Sequence, residues 1–596
     1  VDPFPAASAS LATIGPYLGQ MQIAYFSMEI ALDPKMHTYS GGLGILAGDT
    51  ARACLDLDLP VVFVTLASRL GYLAQEIDAA GNQVERADPW PLEELATPLR
   101  AKVAVVLEGR EVWVRPWLFP LEGMHGQRVP VLLLDSHLVE NDERDRGLTD
   151  RLYGGDETYR FKQEVLLGIG GLRVLQALGF SIRVYHLNEG HAALLALDLL
   201  RRYPLAPDPG RPDLLAYDAA RVRSQCVFTT HTPVEAGHDR YPYDLFEGLL
   251  GDYFPVEQLR LVAGANHLNM TELALNLSGY VNGVAKRHAE VAAQMFPYYH
   301  IRAVTNGVHV ATWAHPAFAA LFTECAPAWS YEPELMARFD QLLPDDRVWD
   351  AHQQAREDLF AVIAERTGIR LDPALPVLGF ARRITAYKRP SLLFADLDRL
   401  RRIHEGHPFQ LVLAGKAHPA DVHGRDLVHR IHAVMSELAA DIRIVFLPNY
   451  DYALARPLVA GVDIWLNTPE PPLEASGTSG MKAAINGVLN LSVLDGWWLE
   501  GCIEGVTGWG IAGHPGGTAE RLYDRLEQVV LPLYRNDRSH WIWMMKQSIS
   551  KIGYYFNTHR MMRRYVSEAY LVREGAIRAG VRMPAASASM LQAPAR

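Results

Sequence analysis

Short, nearly continuous apolar runs recur along this chain, each closed by a polar or glycine-rich turn. In the first half they are QIAYFS (22–27), LPVVFVTLA (59–67), VPVLLLDS (129–136), IRVYHLNEG (182–190), QCVFTTHT (225–232) and IRAVTNG (301–307). In the second half they are PVLGFARR (376–383), FQLVLAGK (409–416), IRIVFLP (442–448), VDIWLNTP (462–469) and GVLNLSVLDG (487–496). Runs of Val, Ile and Leu without polar alternation predict strands buried on both faces. Helix-length amphipathic stretches between them predict parallel sheets. Two such series predict two doubly wound α/β domains, 1–303 and 304–570, with a tail at 571–596 and the crossover near 304–320. AVVLEGREVWVRPWLF (104–119) does alternate and predicts an antiparallel hairpin. RRYPLAPDPGRPD (201–213) reads as a surface loop, and no internal repeat is visible.

In such sheets ligands bind beyond the carboxyl ends of the strands. The polar residues there are Asn188, His231, Asn306, Arg383, Lys416, Asn449, Asn467 and Asp495. One polar strand end carries no information. Their repetition in both halves points to one crevice between two domains.

Composition narrows the class. A chain of 596 residues is too long for one core, and 49% apolar with 21% charged residues is ordinary for a globular enzyme. The formal net charge is -11 with no basic stripe, which disfavours nucleic acid. An anion used by this protein then needs a local basic pocket. Cys54, Cys226, Cys325 and Cys502 are far apart without a CxxC pair, which fits a reducing cytoplasm better than a disulfide framework. The first residues lack a basic start followed by an apolar block. The apolar run at 59–67 is too short to span a bilayer, and the tail PAASASMLQAPAR from Pro584 has a disordered composition.

Four segments carry candidate chemistry. In EASGTSGMKAAINGVLN (474–490), Gly477 and Gly480 permit close backbone approach. Thr478 and Ser479 suit the cap of a helix starting near Met481, and Lys482 sits on its first turn beside an anion-binding helix start. Read alone, the segment is at least as readily a capped helix with a solvated lysine. GFARRITAYKRP (379–390) places Arg382, Arg383, Lys388 and Arg389 after a strand, either a phosphate site or a basic helix start. YSGGLGILAGD (39–49) opens a helix with three glycines but is not GxGxxG. His231 ends a strand. His186, Glu189 and His191 lack the spacing of a helical metal motif, and no metal site is expected.

Taken in order, these segments resemble the α-glucan phosphorylase family. The matching stretches are AYFSMEIAL (24–32), YSGGLGILAGD, LYGGDETYRFKQEVLL (152–167), HLNEGHAA (186–193), FTTHTPVEAGHDRYP (228–242), YVNGVAKRHAEV (280–291), TNGVHVATW (305–313), FARRITAYKRP, LVLAGKAHP (411–419), LPNYDYALA (447–455) and EASGTSGMK. The shorter bacterial and archaeal members are most similar. The resemblance implies a GT-B fold, with a glucan-binding and a cofactor-binding Rossmann-like domain facing a cleft. It implies retaining phosphorolysis of α-1,4-glucan or maltodextrin by inorganic phosphate, with pyridoxal 5'-phosphate held as an aldimine on Lys482. Thr478, Ser479 and Arg382 would surround the cofactor phosphate, with Trp313 and Tyr450 near its ring. Arg383 and Lys388 would bind substrate phosphate. Gly41, Gly42, Leu43, Asn306, Tyr387, Glu474, Ala475, Ser476 and Gly477 would line the substrate site, and the His231 carbonyl would face the sugar. A homodimer is left open. Five positions depart from the longer members: ASGTSGMK, with Ser479 and Gly480, replaces ASGTGNMK, Arg382 replaces a lysine, Thr385 a histidine, and Asp451 an arginine. The competing readings are a nucleotide-sugar synthase, whose glycine loop normally carries KTGGL where Tyr39 stands here, and an inactive glucan-binding protein.

Overall fold

The computed structural model describes residues 7–123, 126–206, 214–512 and 517–571. The tail at 584 and part of the 201–213 loop lie outside them. Two mainly parallel sheets carry the two series of apolar runs. The second contains six parallel strands in the order Ile444–Leu447, Gln410–Ala414, Val377–Ala381, Ile464–Asn467, Leu489–Val493 and Gly508–Ile511. Counted along the chain, this is 3-2-1-4-5-6. The parallel strands of the first sheet repeat that order and add one. Arg128–Asp135, Val61–Leu66 and Ile23–Ser27 are followed across the sheet by Val184–Asn188, Cys226–Thr229, Tyr280–Gly283 and Arg302–Ala303. The alternating segment pairs antiparallel at the edge, Val103–Leu107 with Arg110–Glu122. The repeat invisible in the sequence is therefore present in the topology.

Tyr280–Gly283 and Gly508–Ile511 were not among the apolar runs. YVNG and GWGI are buried at all four positions, but Asn and Gly break the run. The hairpin Ala74–Ile77/Gln83–Arg86 was also not anticipated. Its buried glutamines reach the other sheet: Gln75 Nε2 donates to the Gly415 carbonyl and Gln83 Nε2 to the Ala417 carbonyl, both at 2.9 Å.

Each sheet has its own core, and among the described residues the chain crosses between them twice. The closing helix Thr558–Tyr565 and the turn to Tyr570 pack Met561, Met562, Tyr565 and Tyr570 against Tyr25, Phe63 and Val131 of the first sheet. At the first crossover the Asp56 carboxylate meets His309 Nε2 at 2.7 Å and His559 Nε2 at 3.1 Å. One acidic residue from the first half thus joins both crossing segments. All four cysteines are free, and no helix among the described residues is long and apolar enough to cross a membrane.

Candidate active site

A doubly wound sheet opens a crevice where neighbouring strands send their connections in opposite directions. In the first sheet that point lies between Ile23–Ser27 and Val184–Asn188; in the second it lies between Val377–Ala381 and Ile464–Asn467. One cavity of about 430 Å³ lies between the two points. Every residue that the resemblance assigns to the site lines it: Gly41, Gly42, Leu43, His231, Asn306, Trp313, Arg382, Arg383, Tyr387, Lys388, Tyr450, Glu474, Ala475, Ser476, Gly477, Thr478, Ser479 and Lys482. Of the eight strand-end residues, His231, Asn306, Arg383 and Lys416 reach the wall. Asn188 and Asp495 act one step behind it.

Glu29 and Glu189 follow the two switch-point strands of the first sheet, and each organises a loop. The Glu29 carboxylate accepts from Ser40 N at 2.6 Å, Gly41 N at 3.1 Å and the Tyr153 hydroxyl at 3.0 Å. This holds the glycine loop at the start of the helix Gly42–Asp56. A Cβ at Gly41 or Gly42 would meet no protein atom within 4 Å, so nothing in the fold itself fills the space beside these bare backbones. Glu189 accepts from His231 N at 2.7 Å and the Thr232 hydroxyl at 2.8 Å. His231 Nε2 lies 2.6 Å from Asn188 Oδ1. Burial lowers the His231 pKa to about 4 despite the nearby Glu189, so its ring is neutral at pH 7. His186 instead faces the Tyr570 and Thr229 hydroxyls, and His191 lies 3.2 Å from Arg160. The three residues of the HLNEGH segment thus have separate partners.

The cations come from the second sheet. Arg382 and Arg383 follow Val377–Ala381, and a single turn, Ala386–Lys388, returns Lys388 to the cavity. Glu474 lies among them, accepting from Arg382 at 2.8 Å and from Lys388 at 2.6 and 2.8 Å. Burial alone would raise the Glu474 pKa; Arg382 and Lys388 outweigh it and hold the group ionised. A carboxylate thus occupies an anion position between two cations. The Arg382 Nε and Nη1 atoms are buried without hydrogen-bond partners and leave room for a second anion. Arg383 stays open to the cavity. Arg389 is turned away and donates to the Thr468 and Pro469 carbonyls, bracing the neighbouring loop.

The helix carrying Lys482 spans Ser479–Ile485, two residues earlier at its start than the sequence predicts. Thr478 makes no side-chain cap there, and the Ser479 hydroxyl accepts from Trp465 Nε1 at 3.1 Å. Both remain on the cavity wall. Packing explains the shift: a Cβ on Gly480 would come 2.3 Å from Asn490 Oδ1 and 2.8 Å from Trp497. That close approach seats the helix on its sheet. Lys482 is buried, and its Nζ lies 4.1 Å from the centroid of the Trp313 ring. Burial brings its pKa down to about 8.

The carbohydrate phosphorylase family model matches residues 230–503. Maltodextrin phosphorylase of Thermococcus litoralis is 38% identical, over 92% of this chain and 70% of that protein. Glycogen phosphorylase of Mycobacterium tuberculosis is equally similar, 38% over the same shares. Glycogen phosphorylase of Aquifex aeolicus is 33% identical over 92% of this chain and 86% of its own length. This chain belongs to the carbohydrate phosphorylase family.

Phosphorylases of this family generally use pyridoxal phosphate. The residues present fit it: a buried lysine amine on an aromatic face, Tyr450 on the same wall, and a buried guanidinium with two unpartnered nitrogens. The departure at Asp451 has a local explanation. Its carboxylate caps the helix Tyr452–Gly461, accepting from Leu454 N at 2.7 Å. The cation that longer phosphorylases carry there is thus exchanged for a helix cap.

The residues missed in the sequence are Glu29, Tyr72, Tyr153 and Arg160, all on the cavity wall. Glu29, Tyr153 and Arg160 lie inside stretches that match the family, but no local pattern distinguishes a loop-organising carboxylate from a surface one.

Proposed function

We propose that this chain is a retaining α-glucan phosphorylase of GT-B architecture. It transfers the terminal α-1,4-linked glucose of glucan or maltodextrin to inorganic phosphate, giving α-D-glucose 1-phosphate, and it runs in reverse. The observation that carries this reading is the juxtaposition, in one cavity between two switch points, of Arg382, Arg383 and Lys388 with buried Lys482. The matching strand order of the two sheets supports the fold assignment.

Lys482 would hold pyridoxal phosphate, with Trp313 and Tyr450 against its ring and Arg382, Thr478 and Ser479 around its phosphate. The bound group supplies a phosphate that exchanges protons near neutrality. Arg383 and Lys388 bind inorganic phosphate and offset the repulsion between two neighbouring dianions. For Lys388 this means giving up Glu474, which is then free to accept from sugar hydroxyls together with Asn306, Tyr387 and the backbone of 475–477. The Asn306 Oδ1 and Ser476 Oγ atoms are buried without partners, consistent with a polar ligand. The His231 carbonyl faces the anomeric centre. Its neutral ring places no positive charge beside a carbon that itself becomes positive.

Maltoheptaose incubated with phosphate should yield the α anomer of glucose 1-phosphate, read by proton NMR, and nothing without phosphate. Free glucose without phosphate would indicate a hydrolase, and dependence on a nucleotide sugar a synthase. Absence of turnover on any α-1,4-glucan would leave a binding protein. Replacing Lys388 by Ala removes a charge-assisted contact of about 1.5–3 kcal/mol, so the phosphate KM should rise, or kcat fall, by roughly tenfold to a hundredfold. Unaltered phosphate kinetics would remove Lys388 from the phosphate site.

A further inference from the structure

We infer that Asp49 is a positioning residue for Lys482: its carboxylate, fixed on the Trp313 indole, holds the lysine amine over that ring. The inference rests on the reading of Lys482 as cofactor anchor. Asp49 lies on the helix Gly42–Asp56, in the first half of the chain, and is 1% exposed. Its Oδ2 accepts from Trp313 Nε1 at 2.7 Å and from His309 N at 3.2 Å. The Trp313 ring carries Lys482 Nζ at 4.1 Å on its face. Carboxylate at the indole edge and amine over its face are therefore joined through one ring, in a unit assembled from the first half, the crossover and the second half.

The second carboxylate oxygen, Oδ1, is buried and accepts no hydrogen bond. A buried carboxylate in that state depends on nearby positive charge. Arg52 stands at 3.7 Å, but its guanidinium is engaged by the Ala31 and Leu32 carbonyls at 3.3 and 2.5 Å. Asp49 in turn acts on Lys482 and on Tyr452. Burial drives the Lys482 amine toward its neutral form, and Asp49 is the charge that opposes this. A carboxylate there gives Lys482 a fixed direction and a protonation balance near neutrality. A bare apolar pocket would supply neither.

The test is the titration of Lys482 itself. In the full chain stripped of bound cofactor, competitive labelling with acetic anhydride across pH reports the fraction of free amine. The wild-type midpoint should lie at about 8. Asp49→Asn keeps an acceptor for the indole but removes the charge. Its midpoint should fall by roughly one unit, giving about tenfold more reactive amine at pH 6.5, and Asp49→Glu should restore the wild-type value. An unchanged midpoint in a folded Asp49→Asn protein overturns the inference. If that variant does not fold, Trp313→Phe serves. It keeps an aromatic face but releases the carboxylate toward Arg52, so the midpoint should again fall, and no change again overturns the inference. Borohydride trapping of the cofactor on another lysine would refute the anchor assignment and leave this titration result standing by itself.

Discussion

Replacing Lys482 by Ala should give a folded protein without covalently attached pyridoxal phosphate and with activity at background. The amine is the one group in the cavity that combines burial, an aromatic platform and a pKa of about 8. A lysine at its ordinary value of 10.5 would be almost fully protonated at pH 7 and a poor nucleophile. Here roughly a tenth is free amine at that pH. The sign of the pH dependence follows. Reloading of cofactor-free wild type should accelerate as pH rises toward about 8 and level off above it. Absorbance after ultrafiltration and peptide mapping after borohydride reduction give the readout. A label on any other lysine, or cofactor retained covalently by the alanine variant, would sink the assignment.

Asp463→Ala should be the most damaging single substitution for stability outside the cavity. Asp463 precedes the switch-point strand Ile464–Asn467, and its Oδ2 accepts from the backbone N of Val377, the first residue of the other switch-point strand, at 2.8 Å. The same carboxylate pairs with buried Arg356 and meets His352 Nε2 at 3.0 Å. Removing it leaves an uncompensated buried guanidinium, which costs about 3–5 kcal/mol. Burial alone would raise the Asp463 pKa; Arg356 and His352 outweigh that and bring it from 3.8 to about 2. A depressed folded pKa contributes stability above the unfolded value that is lost as pH falls through the folded one. The melting-temperature gap between wild type and variant should therefore be full near neutrality and close as pH falls from about 4 toward 2. A constant gap across that range would mean that the carboxylate charge is not what stabilises the strand pair. Because those strands end at Arg382 and at the loop before Glu474, the variant should also weaken phosphate binding.

The strands legible in the sequence are those whose burial is written as nearly continuous apolar runs rich in Val, Ile and Leu. Val61–Leu66 and Gln410–Ala414 are of this kind, because a strand covered on both faces needs no polar alternation. Tyr280–Gly283 and Gly508–Ile511 were not legible, since Asn and Gly in them are buried by partners distant in the chain. The site was legible as a set of motifs: glycine loop, cation cluster and lysine segment all line the cavity. Their pairings were not. Arg389 belongs to the same basic cluster as Lys388, yet it braces the Thr468 loop because Arg389 sits at φ 46, turning the chain away from the cavity. Thr478 has the composition of a cap and stands at the position before the helix, but its side chain makes no capping bond, and the close seating of Gly480 on Asn490 accompanies the earlier helix start.

By itself the sequence determined the strand and helix alternation, the two series and the residue types at the strand ends. Hydrophobic periodicity and turn chemistry are local properties, set by neighbours along the chain. Only the tertiary structure decided that the two sheets share one strand order and that Glu474 lies between Arg382 and Lys388. It also decided that Trp313 joins Asp49 at its edge to Lys482 on its face, and that the closing helix returns to the first sheet. Each of these joins residues far apart in the chain, and the direction of a side chain at a strand end is set by the elements packed against it rather than by its neighbours in sequence.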